Sequence, residues 1–258
     1  MLDLTGLIIT FNERANIGRT LATLQWVPSI IVVDSFSTDE TCDIARAFPN
    51  VRVEQHQFES FAQQCNYGLS LIVSPWALSF DADYLCPVSL AQEISGLVEE
   101  GDIVGYSVAF RYCVFGYPLR STIYPDRVVL YRRALAQYRN DGHGHRLNIE
   151  GKLKNLTNKI DHDDRKSLSR WIASQDRYSI AEARHLLASD RKSLTAQDRL
   201  RLKVFYAPAA MFFYLLLGRG LILDGWRGWF YVGQRVIAEC LLSLRLLTMK
   251  HGLEKSGK

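Results

Sequence analysis

The chain has 258 residues, with 31 Lys and Arg against 27 Asp and Glu, and is 48% hydrophobic, 22% charged and 11% aromatic. That composition excludes a disordered or collagenous chain and is rich enough to bury a core. A net charge of +4 is too mild to argue for nucleic acid, and Cys42, Cys65, Cys86, Cys113 and Cys240 form no C-x-x-C pair, so neither a zinc knuckle nor a disulfide framework is readable and a reducing, cytosolic setting is expected.

The chain runs from Met-Leu-Asp-Leu-Thr directly into an apolar segment without a basic n-region or a small-residue cleavage site, so no secretory signal is expected and the fold is predicted to begin near residue 4. Apolar, β-rich runs at 4–10, 30–33, 51–53 and 76–80 alternate with helical spacing. Ile17, Leu21 and Leu24 form one helical stripe, and Phe61, Cys65, Leu69 and Ile72 another. Ser37 and Glu40 fit a capping box ahead of Ile44 and Ala45. The order β-α-β-α-β-α-β predicts right-handed crossovers and an α/β fold, a Rossmann-like, mostly parallel sheet with helices on both faces.

From 103 to 131 longer strand-like pieces suggest antiparallel additions to the sheet, residues 138–166 read as a polar loop over the top, and helical spacing returns over 167–188 with Trp171, Tyr178, Ala181 and Leu186 inward. The run Val204–Leu217 is interrupted by Pro208 and is shorter than the roughly 20 residues a spanning helix needs. With Arg199, Arg201, Lys203, Arg219 and Arg227 beside it, this apolar C-terminal stretch is expected to form amphipathic helices on an anionic membrane surface; a hairpin packed on the core or across a homodimer interface is the alternative. The predicted organisation is a catalytic domain over 1–190, with a nucleotide half at 1–100 and an acceptor half at 101–166, followed by a helical segment at 191–258.

Ligands of such a sheet sit beyond the carboxyl ends of the strands. Three polar segments stand there: Thr10-Phe11-Asn12-Glu13, Asp34 through Asp39, and Asp81-Ala82-Asp83. Residues i and i+2 of an extended segment share a face, so Asp81 and Asp83 would repel unless a cation sits between them. Hard oxygen donors point to Mg²⁺ or Mn²⁺ acting on a diphosphate leaving group. Asp34 follows four β-branched residues, is expected to leave the sheet, and either caps the next helix or accepts hydrogen bonds from a ribose or base. No G-x-G-x-x-G and no P-loop sequence occurs to cradle phosphates.

The segments IITFNERANI, VVDSFSTDET, Gln63-Gln64-Cys65-Asn66, LSFDADYLCP, YPDRVVLYR and GLILDGWRG resemble the family-two glycosyltransferases of GT-A fold, nearest the lipopolysaccharide-core β-glucosyltransferase branch. The resemblance implies that Thr10, Asn12 and Glu13 line the nucleotide pocket and that Asp34 contacts the uracil or ribose. It implies that Asp81 and Asp83 hold the divalent ion bridging the diphosphate of the nucleotide-sugar donor. It further implies an inverting hexosyltransferase acting on a lipid-linked glycan at the cytoplasmic face of the cell membrane. Related members place a His-Glu pair where this chain has Gly144-His145, which leaves Asp141, His143 and His145 as candidate general bases. An anionic polyprenyl-phosphate acceptor would need no base, and a degenerate nucleotide-binding protein would perform no transfer. The cluster Asp161-His162-Asp163-Asp164 reads as a cap with surface ion pairs to Arg165 and Lys166, with acceptor contact second.

Overall fold

The structure, a computed structural model, describes residues 2–141, 144–190, 192 and 194–253, giving backbone alone at 141, 144 and 145. Its two compact units are Met1–Pro118 with Thr122–Lys166, and Leu119–Ser121 with Ser167–Lys258.

In the first unit seven strands, β1 (Leu4–Thr10), β2 (Ile30–Asp34), β3 (Val51–Gln55), β4 (Trp76–Asp81), β6 (Ile103–Val108), β9 (Arg127–Arg132) and β12 (Lys152–Asn155), lie in the order β12-β6-β9-β4-β1-β2-β3. β3, β2, β1 and β4 run parallel, whereas β9 is antiparallel to both β4 and β6. The side-chain alternation of the strands sorts the core. Ile8, Val32, Leu78 and Phe80 pack with Ile17 and Leu21 of helix α1 (Ile17–Thr23), Ala45 of α2 (Thr41–Arg46) and Leu90 and Ile94 of α4 (Val88–Ser95). On the opposite face Leu7, Ile31, Val33 and Ala77 pack with Ala62, Cys65 and Leu69 of α3 (Phe61–Leu71). Helix α3 lies so close to the sheet that a Cβ on Gly68 would stand 2.3 Å from Leu7 Cδ1. The fold is therefore the expected GT-A-type α/β sheet.

Several local expectations are corrected. Residues 138–166 are not a loop: β10 (Gln137–Asp141) pairs antiparallel with β11 (Gly144–Asn148), β12 joins the main sheet, and β13 (Ile160–His162) joins a second sheet of order β5-β13-β7-β8 with β5 (Tyr84–Leu85), β7 (Phe110–Val114) and β8 (Tyr117–Pro118). These strands are short and polar, so pairing rather than apolar periodicity sustains them. Asp34 stays in β2, paired with Thr10 and Gln55. The capping box is absent: α2 begins at Thr41, whose N–H donates to Asp39 Oδ1 at 3.1 Å, while the Ser37 N–H and hydroxyl are drawn to the Asp34 carboxylate.

The second unit is helical: α5 (Leu168–Ala188), α6 (Ala196–Arg201), α7 (Tyr206–Phe213) and α8 (Gly225–Lys250). Ser167 caps α5, and Ala183 and Leu186 pack with Leu194, Val204, Leu242 and Leu246. That buried face assigns α5 to the helical unit, rather than to the segment ending at 190 that the sequence suggested. Trp171 and Leu186 are buried as expected, whereas Tyr178 and Ala181 are half-buried and Ser179 and Ala183 take the inner positions. Arg201 joins Glu239, which is 5% exposed, to Glu182. Pro208 does not break α7, because it falls in the first turn, where its missing N–H has no intrahelical partner to lose. The chain bends later, at Gly220 (φ 70°), so that Tyr206–Gly218 and Leu221–Lys250 meet at 71°. Among the described residues no single helix is long and apolar enough to cross a membrane; this bent pair passes that test together.

Candidate active site

The loops after β1 and β2 are stitched by short polar contacts. Asn12, in the left-handed region at φ 55°, donates its N–H to Ser37 Oγ at 2.7 Å and accepts from the Thr38 N–H at 2.7 Å. The Glu13 N–H donates to Thr41 Oγ1 at 2.7 Å. Thr10, at the end of β1, carries a buried hydroxyl with no hydrogen-bond partner among the described residues, an arrangement that calls for a polar ligand or water. Asp34 is fully buried and accepts from the Ser37 N–H at 2.8 Å and from Gln55 Nε2 at 3.4 Å. Its carboxylate thus holds the turn together.

Asp81 and Asp83 part company. A turn at Ala82 and Asp83 interrupts the extended segment on which their spacing argument rested. Asp81 faces Arg127 Nη1 at 3.6 Å, and that guanidinium lies 5.1 Å over the Tyr124 ring. Asp83 Oδ2 instead meets Lys166 Nζ at 3.3 Å and His162 Nε2 at 3.4 Å. His162 is boxed by the rings of Tyr84, Tyr112 and Tyr124 at 5.3, 5.0 and 4.8 Å.

Lys166 is the hub of the site. Its ammonium also reaches Glu13 Oε1 at 2.9 Å and Asp164 Oδ1 at 3.4 Å, joining the β1 loop, the β4 turn and the segment after β13. Burial by itself raises the Asp83 carboxyl, but Lys166 and His162 outweigh it and hold that group well below the usual carboxylate range. Burial likewise disfavours the Lys166 charge, and Asp83, Glu13 and Asp164 outweigh it, lifting its pKa above the usual lysine value. Glu13 goes the other way: burial raises it, with Asp83 adding to the rise and Lys166 opposing it.

Asn16 and Asp163 hold this assembly from behind. Fully buried Asn16 donates Nδ2 to Glu13 and to Asp164, each at 3.0 Å, and accepts from the Arg165 N–H at 2.9 Å. Asp163 is 0% exposed and is gripped by Arg19 and Arg165. The surface ion pairs expected of the 161–164 cluster are therefore partly buried ones around Asp163 and Asp164, and His162, Lys166 and Asn16 are site residues the sequence reading did not select.

A carboxylate oxygen and an imidazole nitrogen facing each other at 3.4 Å are a donor pair that Mg²⁺ or Mn²⁺ accepts. Among the described residues no three His, Cys, Asp or Glu side chains gather as a metal-holding group, so the remaining positions would fall to phosphate and water. Two of the candidate bases, Asp141 and His145, fall on the paired strands β10 and β11, where the register sets Asp141 opposite Gly144 and Asn140 opposite His145. His143 lies outside the described residues, as do the side chains of Asp141 and His145.

Residues 6–149 match the family described as glycosyl transferase family 2. The chain belongs to that family. A lipopolysaccharide core biosynthesis glycosyltransferase, LpsC of Rhizobium meliloti (strain 1021), is 26% identical over 236 residues, covering 88% of this chain and 85% of that protein. Among solved structures, the mannosyltransferase PcManGT from Pyrobaculum calidifontis, in complex with GDP-Man and Mn²⁺, matches with a TM-score of 0.56 at 16% identity, covering 96% of this chain and 88% of that one. TarS 1–349 of S. aureus in complex with UDP-GlcNAc matches at 0.50 and 13% identity, covering 97% and 92%. This family-2 glycosyltransferase shares their fold, with the charged cluster at the carboxyl ends of β1 and β4, where an open α/β sheet binds its ligand.

Proposed function

We propose that this family-2 glycosyltransferase moves a hexose from a UDP-linked donor to a lipid-linked glycan such as a lipopolysaccharide core, with inversion and with a divalent metal, at the inner face of the cell membrane. The observation that carries the reading is the network Glu13–Lys166–Asp83–His162 at the carboxyl ends of the parallel strands. A buried hydroxyl on Thr10 and the stitched turn of Asn12 and Asp34 form the wall on which the nucleotide rests.

Asp83 and His162 would hold Mg²⁺ or Mn²⁺, which supplies Lewis-acid support to the departing diphosphate. Arg127 pairs with Asp81 at 3.6 Å. Lys166 keeps a positive charge where the diphosphate arrives. In a single displacement the acceptor hydroxyl oxygen bonds to the anomeric carbon, the bond to the UDP oxygen breaks, and the hydroxyl proton passes to a base on the β10–β11 hairpin. Asp141 is the first choice, with His143 and His145 as the others.

The membrane part rests on the bend between α7 and α8, where Phe213, Leu217, Leu223 and Trp226 are 60, 60, 68 and 57% exposed beside Arg219 and Arg227. Exposed aromatic and aliphatic side chains among arginines suit a lipid interface. A polyprenyl-phosphate acceptor is the second reading, and its anionic oxygen needs no base. Single replacements of Asp141, His143 and His145 separate the two, since an anionic acceptor would leave turnover intact in all three.

The test is a panel of nucleotide sugars incubated with glycolipid acceptor extracts, following released UDP in Mn²⁺ and in EDTA. Release from one UDP-hexose, dependent on both acceptor and metal, is expected. Binding of UDP without release from any donor would mark a non-catalytic nucleotide binder.

A further inference from the structure

Lys166 carries more of this site than a structural ion pair requires. Its ammonium has three N–H donors, and three carboxylates from three different segments surround it: Glu13, Asp83 and Asp164 at 2.9, 3.3 and 3.4 Å. Three carboxylates face this one ammonium, while the neighbouring Arg19 and Arg165 pair with Asp163. The same Asp83 oxygen that accepts Lys166 faces His162. An ammonium and a divalent cation cannot share that oxygen without strong repulsion.

The backbone on both sides is fixed. Asp163 donates its N–H to the Asp83 carbonyl at 3.2 Å and accepts the Gly116 N–H at 3.1 Å, and Asn16 Oδ1 accepts the Arg165 N–H. The lysine's four-carbon stem is therefore the part free to relocate its charge.

We propose that Lys166 is a donor-diphosphate residue that holds the Asp83 carboxylate closed until nucleotide arrives: its ammonium transfers from Asp83 to the phosphate oxygens, and the transfer opens Asp83 and His162 to the divalent cation. This rests on the reading of Asp83 as a metal donor. The phosphates replace the carboxylates as the anionic partner of Lys166, so nucleotide and metal bind with positive coupling, each raising the affinity for the other by the same factor.

The experiment titrates Mn²⁺, followed by its paramagnetic resonance, into the full-length wild type, Lys166→Met, Lys166→Arg and Asp83→Asn, with and without UDP and without acceptor; UDP is also titrated calorimetrically in EDTA. Lys166→Gln serves as a second charge-removing variant should Lys166→Met fail to fold by circular dichroism. Without nucleotide, the charge-removing variant is expected to bind Mn²⁺ about tenfold tighter or more than wild type, with Lys166→Arg unchanged. In EDTA it is expected to lose about tenfold or more in UDP affinity. Equal Mn²⁺ affinity of wild type and the charge-removing variant overturns the proposal, and so does unaltered UDP binding in EDTA. Should Mn²⁺ bind no better to wild type than to Asp83→Asn even with UDP present, the metal-donor reading fails and the proposal falls with it.

Discussion

Asn66 and Tyr138 exchange two hydrogen bonds, Asn66 Nδ2 to the Tyr138 carbonyl and the Tyr138 N–H to Asn66 Oδ1, each at 2.9 Å. A side-chain amide on α3 thus takes the place of a neighbouring strand and anchors β10, which carries Asp141 and pairs with β11, where His145 lies. Asn66→Ala leaves two backbone groups unpaired. It is expected to cost about 2 kcal/mol in urea unfolding and to lower kcat while leaving the UDP affinity unchanged. A loss of UDP binding equal to the loss of kcat would show that the hairpin is not a separate, base-bearing part of the site.

Asp163 stands fully buried between Arg19 and Arg165. Removing it strands two guanidinium groups, so Asp163→Ala is expected to destabilise by about 3–5 kcal/mol. Denaturation should show this as a large shift of midpoint with little change in slope. Asp161 makes a more exposed pair with Arg111, and Asp161→Ala is expected to cost less than about 1 kcal/mol.

The depressed Asp83 carboxyl sets a pH dependence of known sign. A group whose folded pKa lies below its unfolded value adds stability above the unfolded value, and loses it as pH falls through the folded one. The stability gap between wild type and Asp83→Asn should therefore be full at neutral pH, about 3 kcal/mol for a buried carboxylate that loses its charge, and should shrink as pH drops below about 4. Unfolding curves from pH 7 to pH 2 test it; a gap that widens in acid contradicts the assignment of Lys166 and His162 as the partners.

The parallel half of the sheet was legible because its strands are short runs of Ile, Val and Leu and the α1 and α3 stripes repeat at helical spacing. Thr10, Glu13, Asp34 and Asp83 were legible as strand-end polar residues, a consequence of topology alone. What stayed hidden depends on long-range pairing. Strands such as Lys152–Asn155 bear no apolar pattern, and nothing local reveals that Lys166 meets Glu13 and Asp83 across 153 and 83 positions of sequence. The Asp81–Asp83 spacing argument assumed an extended segment, whereas a turn falls at Ala82 and Asp83. Pro208 misled in the same way, since a helix-breaking residue is harmless in a first turn.

The α7–α8 bend should bind bilayers through its exposed apolar tip. Full-length protein is expected to float with vesicles containing phosphatidylglycerol and much less with phosphatidylcholine alone, because arginines flank the tip. Replacing Phe213, Leu217, Leu223 and Trp226 together by Ser should lower vesicle affinity by about tenfold or more without changing the melting temperature, as all four are exposed. Unchanged flotation of the quadruple variant would move the apolar tip from lipid to a protein partner.

Asp83→Ala, assayed with saturating UDP-hexose and acceptor in Mn²⁺ and in EDTA, tests the account most directly. Sugar transfer is expected to fall at least about 100-fold, with the residual rate indifferent to metal and the fold intact by circular dichroism. Transfer at the wild-type rate in EDTA would contradict it.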